Sequence, residues 1–558
     1  MIKSRIKTIL DECFQAGVEQ GLWSDAAKSS YAVEDPKFEG QGDFATNAAM
    51  VIAGCEKKAT GKKINPRQIA EQLVNLLARE DTLFSKVEVA GPGFVNFFIK
   101  ESVWQSVIPE VLAQGEAYGR AAGKNGQRVL VEFVSANPTG PLSVGHGRQA
   151  ALGDAIARLL AASGYDVDRE YYYNDAGRQM RVLGESTRAR YLELLGLPRE
   201  FPEDGYQGQY ILDIARGLVD KYGDSLKDVA DVTPFKEAAE RAIFVDINQT
   251  LTRFDVAFDS YYNEHSLYEN GLVDDVVSSL RERGLVYEQD GAVWFKTTEF
   301  GHDKDRVIIK STGEPTYRLP DIAYHREKFR RGYDWLVDIF GSDHIATVPD
   351  VLAGVRALGY DDSKVTVILH QFVTLMRDGQ QVKMSTRKAN FVTVDELLDE
   401  VGADATRFFF LMRKADSQLE FDLELAKKQS QENPVYYVQY AHARLASIDR
   451  QAMEKGAARG GLATAPLALL TAPEEQKILK AIAAYPGLVL DSAKELAPHK
   501  IVYYLQELAG LFHSYYNRHK IISDDAELSR ARLWFCAGLR IVFHNGLTLL
   551  GMSAPEQM

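Results

Sequence analysis

Cysteine is scarce in this 558-residue chain: Cys13, Cys55 and Cys536 stand far apart and no Cys-x-x-Cys pair occurs. Neither a disulfide framework nor a cysteine-built zinc site is indicated, which fits a reducing cytoplasm. Long apolar runs are lacking as well; nothing approaches the roughly 18 apolar residues needed to span a bilayer. The opening "MIKSRIKTILDECFQAG" sets Ile2, Ile6, Ile9 and Cys13 at helical spacing. Asp11 and Glu12 argue against a transit peptide, and the run is too polar for a secretion signal. The usual phosphate signatures are missing too. There is no GxxxxGK(S/T), no GxGxxG after a strand, and "TGKKINP" (60–66) only imitates the tail of the first. No metal-ligand cluster and no internal repeat is visible. The expectation is a soluble, untargeted cytoplasmic protein with no structural metal.

What is present is a globular composition, 46% apolar and 26% charged, at a length that implies two to four domains. The net charge of −13 is uneven: residues 431–558 carry +1 and the first 430 carry −14. A local basic surface can still bind RNA, so the overall sign decides little. Residues 1–114 read as an α+β unit, with helices near 2–16, 43–54 and 66–79 before strand-like "SKVEVAGPGFVNFFI". Gly-rich 115–127 reads as a linker. "RVLVEFVSA" (128–136) is a nearly continuous apolar run, as in a buried parallel strand. A helix with Ala151, Leu152, Ala155, Ile156, Leu159 and Leu160 inward follows, then strand-like "DVDREYYYN": a right-handed βαβ unit. An insertion is expected around 185–300, with later strands of the same sheet at 333–341 and 363–376. Beyond about 395 the chain reads as helical, interrupted by a flexible Ala/Gly-rich loop at 454–473. The fold class is therefore multidomain α/β: an α+β N-terminal domain (1–114), a Rossmann-type parallel-sheet domain (115–430) and an all-helical C-terminal domain (431–558).

Between the first strand and its helix lies "SANPTGPLSVGHGRQA" (135–150), stiff and poor in large side chains. Ligands of an open parallel sheet sit at the carboxyl ends of its strands, and a helix N-terminus attracts anions. A nucleotide lying over Gly145 and meeting His146 is the natural guest. A second loop, "DGQQVKMSTRKANFVT" (378–393), follows a late strand and concentrates Lys383, Ser385, Thr386, Arg387 and Lys388. Its cations and hydroxyls suit a triphosphate whose charge moves onto pyrophosphate.

The two loops together resemble the HIGH and KMSKS signatures of class I aminoacyl-tRNA synthetases. The first corresponds to Ser143-Val144-Gly145-His146, preceded by Pro138, Thr139 and Gly140. The second corresponds to Lys383-Met384-Ser385-Thr386-Arg387, with Lys388 beyond. Two positions depart from the pattern: Ser143 replaces the first histidine and Thr386 the second lysine. Within the class, the resemblance is to bacterial arginyl-tRNA synthetases and runs nearly end to end. It includes "NPVYYVQYAHARL" (433–445), similar to the start of that family's helical anticodon-binding domain, and "GDFATNAAM" and "GPGFVNFFI", similar to its extra N-terminal domain.

The resemblance implies ATP and L-arginine as substrates, tRNA(Arg) as partner, Mg²⁺ carried by the nucleotide, and arginine activation that needs bound tRNA. A guanidinium calls for a planar carboxylate acceptor. Asp321 in "PTYRLPDIAYH" and Glu132 are the candidates, with a helix N-cap and a structural ion pair as their respective alternatives. The resemblance places Asp321 and Tyr317 at arginine and Ser135, Ala136, Asn137 and His146 around its α-carboxylate end; "FGSDHIA" (340–346), with Gly341, Asp343 and His344, is the candidate for the adenosine side. For RNA, "HKIVYYLQELAGLFHSYYNRHKII" (499–522) offers Tyr515, Asn517 and Arg518, while Phe512 falls on the apolar face; a buried aromatic seam is the alternative. The expected molecule is a monomer acting off the membrane. Its rivals are a synthetase for another amino acid, a small-molecule nucleotidyltransferase and a catalytically silent tRNA-binding relative.

Overall fold

The computed structural model describes residues 2–28, 30–36, 38, 40–77, 83–382, 392–457 and 459–558. In the N-terminal unit, helices Ile2–Glu19, Ala48–Thr60 and Pro66–Leu77 pack on a four-stranded sheet of order β1-β2-β4-β3. Its strands are Val33–Glu34 (β1), Phe44–Thr46 (β2), Phe84–Ala90 (β3) and Phe94–Ile99 (β4). Periodicity predicts a helix from 43, yet Phe44–Thr46 is extended. Asp43 zips it onto β4: its N–H donates to the Phe97 carbonyl (2.7 Å) and its Oδ2 accepts from the Ile99 N–H (2.8 Å).

The remaining strands are Arg128–Glu132 (β5), Asp166–Tyr173 (β6), Ser260–Asn263 (β7), Val286–Gln289 (β8), Ala292–Phe295 (β9), Arg306–Ile309 (β10), Trp335–Gly341 (β11), Val365–His370 (β12), Val373–Arg377 (β13), Gln380–Gln381 (β14) and Leu419–Asp422 (β15). Five of them form one parallel sheet, β12-β11-β5-β6-β7. The Val144–Ala162 helix presses against it so closely that a side chain on Gly153 would collide with the Phe133 ring.

Three sequence expectations change here. The 185–300 stretch is not all insertion: after helices Gly177–Leu194, Gln209–Tyr222 and Thr233–Arg253 it supplies β7, the edge strand of the main sheet. "SYYN" is too short and too polar to announce itself. The late strand expected over 363–376 breaks at Gln371; β12 stays in the main sheet and β13 leaves for a small sheet, β14-β13-β15. The 454–473 loop is pinned rather than free, with the Trp534 indole N–H donating to the Arg459 carbonyl (3.1 Å) and Arg530 to that of Thr464 (3.2 Å).

Helices Pro434–Glu454, Pro473–Lys494, His499–Arg518 and Ala526–Leu549 form the C-terminal bundle. The 115–127 linker lies against it: Asn545 Nδ2 donates to the Gly115 and Tyr118 carbonyls (3.0 Å each), and the Tyr118 hydroxyl to Ile482 (2.9 Å). Buried Arg407 joins three parts at once. It donates to the Leu550 carbonyl (2.9 Å) and the Phe254 carbonyl (2.7 Å), and pairs with Asp154 of the Val144–Ala162 helix. Among the described residues no helix is long and apolar enough to cross a membrane.

Candidate active site

The crevice lies at the carboxyl ends of the parallel strands, and the chain deforms to build it. β5 stops at Glu132, short of the expected 136, because Val134 (φ +66°) and Ser135 (φ +44°) turn left-handed. A β-branched residue in that region is strained, and such strain gathers at functional sites. The turn is held in place. Ser135 Oγ donates to Glu132 Oε1 (3.0 Å) and accepts from the Tyr172 N–H (3.2 Å). Asn137 Oδ1 accepts from the Asn174 N–H (2.9 Å), and its Nδ2 donates to Gln179 (3.0 Å). The Ala136 and Thr139 carbonyls accept from Tyr171 and Tyr210 (2.8 Å each), and Pro138 is buried beneath. Gly140 leaves the room that the Tyr210 hydroxyl fills.

At the other end of this loop Ser143 caps the helix. Its N–H donates to His146 Nδ1 (3.2 Å), which places the neutral ring's proton on Nε2, free to donate. Burial, reinforced by His370, pushes His146 down to about 4, so the imidazole is uncharged at neutral pH. Val144 is buried, and over Gly145 the nearest neighbour to an added methyl would be Ser143 Oγ at 3.7 Å: an open face of backbone. Opposite, Gly341 pairs with His370 across β11 and β12, and Asp343 and His344 follow on an exposed 3₁₀ turn. Burial holds His370 near 4 as well.

A second part of the crevice is a study in carboxylates. Asp338, Glu132 and Glu170 stand in register on the adjacent strands β11, β5 and β6. Helix Arg318–Arg330 lays a polar face over them. Lys328 Nζ reaches Glu132 (2.5 Å) and Asp338 (2.7 Å), His325 Nε2 meets Asp338 (2.9 Å), and Arg331 grips Glu170 with both nitrogens (2.6 and 2.7 Å). Glu132 thus takes the structural role named as its alternative: both oxygens are engaged, by Lys328 and Ser135. Asp321 lies in the first turn of the same helix, four residues inside its start rather than at the N-cap, which is Tyr317. Among the described residues its carboxylate has no hydrogen-bond or ion-pair partner. Burial, with Glu264 and Glu132 adding to it against His325 and Lys328, raises it to about 7. Tyr317 is 81% exposed at the mouth.

Glu264, one residue past β7, is a site acid that sequence reasoning missed. It accepts from the Tyr172 hydroxyl and Asn174 Nδ2 (2.8 Å each), and burial raises its pKa too. Reading the region as insertion hid a strand end, the one signal that could have found it.

Lys383, Met384, Ser385, Thr386, Arg387 and Lys388 lie outside the described residues; their flanks do not. Val382 N–H donates to Leu375 (2.9 Å) on the β13–β14 hairpin. On the far side Thr393 bridges to Ser143, and the Val394 N–H donates to the Leu142 carbonyl (2.8 Å). The second loop therefore returns to the chain beside the first.

Comparison with known proteins gives this geometry its context. Residues 1–99 match the arginyl-tRNA synthetase N-terminal domain, 107–430 the catalytic domain of class I (R) tRNA synthetases, and 438–558 the DALR anticodon-binding domain. An arginine–tRNA ligase of Desulfotalea psychrophila is 63% identical, covering 100% of both chains. The chain belongs to the arginyl-tRNA synthetase family. Another arginine–tRNA ligase, from Syntrophotalea carbinolica, is 48% identical over 100% of both chains. The arginyl-tRNA synthetase of Thermus thermophilus has the same fold (TM-score 0.74, 22% identity, 100% of both chains).

In this arginyl-tRNA synthetase the RNA candidates divide. Tyr515 is wholly buried, donates to Glu475 (3.0 Å) and packs on His519, so it has no face for a base. That corrects the sequence expectation. Asn517 and Arg518 are exposed, Arg518 pairing with Glu474 (2.9 Å). A better platform went unread: Tyr436 stacks on Tyr440 (5.8 Å, 15°), and the Arg444 guanidinium lies between Tyr440 (4.5 Å) and Tyr516 (4.7 Å), all half-buried.

Proposed function

We propose the following division of labour for the family's reaction, in which ATP activates L-arginine to arginyl-adenylate and the arginyl group passes to the 3′-terminal ribose of its tRNA. The observation that carries the proposal is Asp321, a half-buried acid that pairs with no cation among the described residues, in a pocket otherwise satisfied. A guanidinium supplies the missing charge and two parallel N–H donors. Glu264 stands by as a second acid, Tyr317 closes over the mouth, and Ser135, Ala136 and Asn137 orient the α-carboxylate end.

The arginine carboxylate oxygen then attacks the α-phosphorus, the bond to the β-phosphate oxygen breaks, and pyrophosphate leaves. No protein nucleophile is required; the site positions the reactants and stabilises charge. Adenine lies on the open backbone at Gly145. His146, neutral and with its proton on Nε2, donates to phosphate oxygen beside the free N–H groups of the helix start. Gly341, Asp343 and His344 face the ribose. The cations Lys383, Arg387 and Lys388 approach the leaving pyrophosphate, whose Mg²⁺ arrives with the nucleotide. In the second step the terminal ribose hydroxyl attacks the arginyl carbonyl and AMP leaves. The Tyr436–Tyr440–Arg444–Tyr516 ladder receives unpaired anticodon bases, with Asn517 and Arg518 at its edge, and the N-terminal domain touches the outer corner of the tRNA. The enzyme works as a cytoplasmic monomer.

Pyrophosphate exchange with each amino acid, with and without tRNA, tests this reading. Arginine-specific, tRNA-dependent exchange is expected. Exchange with another amino acid, or tRNA binding without exchange, would overturn it.

A further inference from the structure

Three residues before Asp321, Arg318 opens the same helix, and the two share a stripe with His325 and Lys328 at steps of three and four. An arginine and an acid three positions apart on a helix can pair; elsewhere in this chain Arg190 and Glu193 do so at 2.7 Å. Arg318 and Asp321 do not. Arg318 turns instead to Asp350, its one carboxylate partner among the described residues, with Nε donating to Oδ2 (2.6 Å).

Asp350 is buried in the first turn of helix Val348–Ala357. That helix packs so closely on the Arg318–Arg330 helix that a methyl on Gly354 would collide with Ile322. The Asp350 carboxylate also accepts from Arg306 Nε (3.2 Å to each oxygen) and meets His302 Nδ1 (3.0 Å). A buried carboxylate needs such partners. Arg306 has a second acid in Asp303 (3.0 Å), whereas Arg318 has no second acid among the described residues. The backbone before the helix is held separately: the Thr316 N–H donates to the Ile308 carbonyl (2.8 Å), and its hydroxyl to that of Val307 (3.0 Å). Asp350 thus bears on the Arg318 guanidinium more than on the helix itself.

We propose that Asp350 is a positioning residue that determines specificity: by holding Arg318, a guanidinium of the chain itself, it keeps Asp321 open for the guanidinium of the substrate. An arginine side chain tethered three residues away is present at high effective concentration, and it carries the same planar donors as the ligand. Without Asp350 it becomes an internal competitor. This inference rests on Asp321 as the acceptor of the substrate's guanidinium.

The test is arginine KM in tRNA-dependent pyrophosphate exchange by Asp350→Asn, Arg318→Gln and the double variant, with thermal unfolding to verify the fold. A freed Arg318 that occupies Asp321 for about nine-tenths of the time weakens apparent arginine binding about tenfold. Asp350→Asn is expected to raise arginine KM by about that factor, with ATP KM within about twofold of the parent's. Adding Arg318→Gln removes the competitor and is expected to return arginine KM to within about twofold of the parent's. Structural damage alone gives no such rescue. A double variant as impaired as Asp350→Asn, or Asp350→Asn folded with the parent's arginine KM, overturns the proposal. Arg318→Gln alone leaves Asp350 with Arg306 and His302, and decides even if Asp350→Asn does not fold. Its arginine KM is expected to stay within about twofold of the parent's; a rise on the order of tenfold would make Arg318 a substrate contact and overturn the proposal. Asp321→Asn is run alongside: an arginine KM unchanged there would instead sink the functional reading.

Discussion

Glu132 and Asp321 sit under one crevice, and their surroundings could hardly differ more. Glu132 shares Lys328 with Asp338 and accepts from Ser135; Asp321, seven residues before Lys328 on the same helix, has no such partner among the described residues. Both are raised by burial, Asp321 to about 7. A buried acid with its cation built in is scaffold. A half-buried acid lacking one is where we assign the ligand's cation. The two sides of the crevice differ in the same way: one is a rigid row of ion-paired strand ends, whereas the other combines neutral histidines with the open backbone at Gly145.

The largest effect should come from breaking the scaffold. Lys328→Met removes the cation that Glu132 and Asp338 share, leaving Ser135 on the one and His325 on the other, at a cost of about 3–5 kcal/mol in denaturant unfolding. A loss under about 1 kcal/mol would erase the distinction between the two acids. Next comes Asp321→Asn, which removes charge from the site while sparing the scaffold. Arginine KM should rise on the order of 100-fold, as for a lost charge-assisted pair, with ATP KM within about threefold and stability unchanged or improved. Equal changes in both KM values would put Asp321 outside the pocket. A smaller effect extends the contrast to the RNA surface. Tyr440→Ala should raise the tRNA KM by about 5–30-fold, the worth of one stacked base. Tyr515→Phe should leave that KM alone and cost about 1 kcal/mol of stability for its hydrogen bond to Glu475.

Much of this was legible in the sequence where chemistry and periodicity agreed. The stiff loop at 135–146 does join a strand to a helix at the sheet's carboxyl edge, and the segment following the basic loop does return to Ser143. Elsewhere they diverged. Tyr515 continues the series Ile501, Leu505, Leu508 and Phe512, spaced four and three apart, and is buried with them; its polar neighbours drew it toward RNA when its spacing placed it in the core. Glu264 was hidden because β7 is four residues of edge strand. At the break between β12 and β13, Gln371 meets Arg148, 223 residues away in sequence, and the segment before β15, contacts that no local pattern encodes.

The vacancy at Asp321 can be measured through its proton. With a pKa near 7 in the free enzyme against about 4 unfolded, this acid lends stability at low pH and loses that contribution as pH rises through 7. Arginine must displace the proton to bind. The decisive measurement is calorimetric titration of arginine into the enzyme with tRNA at pH 6, in buffers of different ionisation enthalpy. The expected result is release of up to about one proton per arginine, fading above pH 8 and abolished by Asp321→Asn. Binding heats independent of buffer across that range would contradict an unpaired acid as the guanidinium's acceptor.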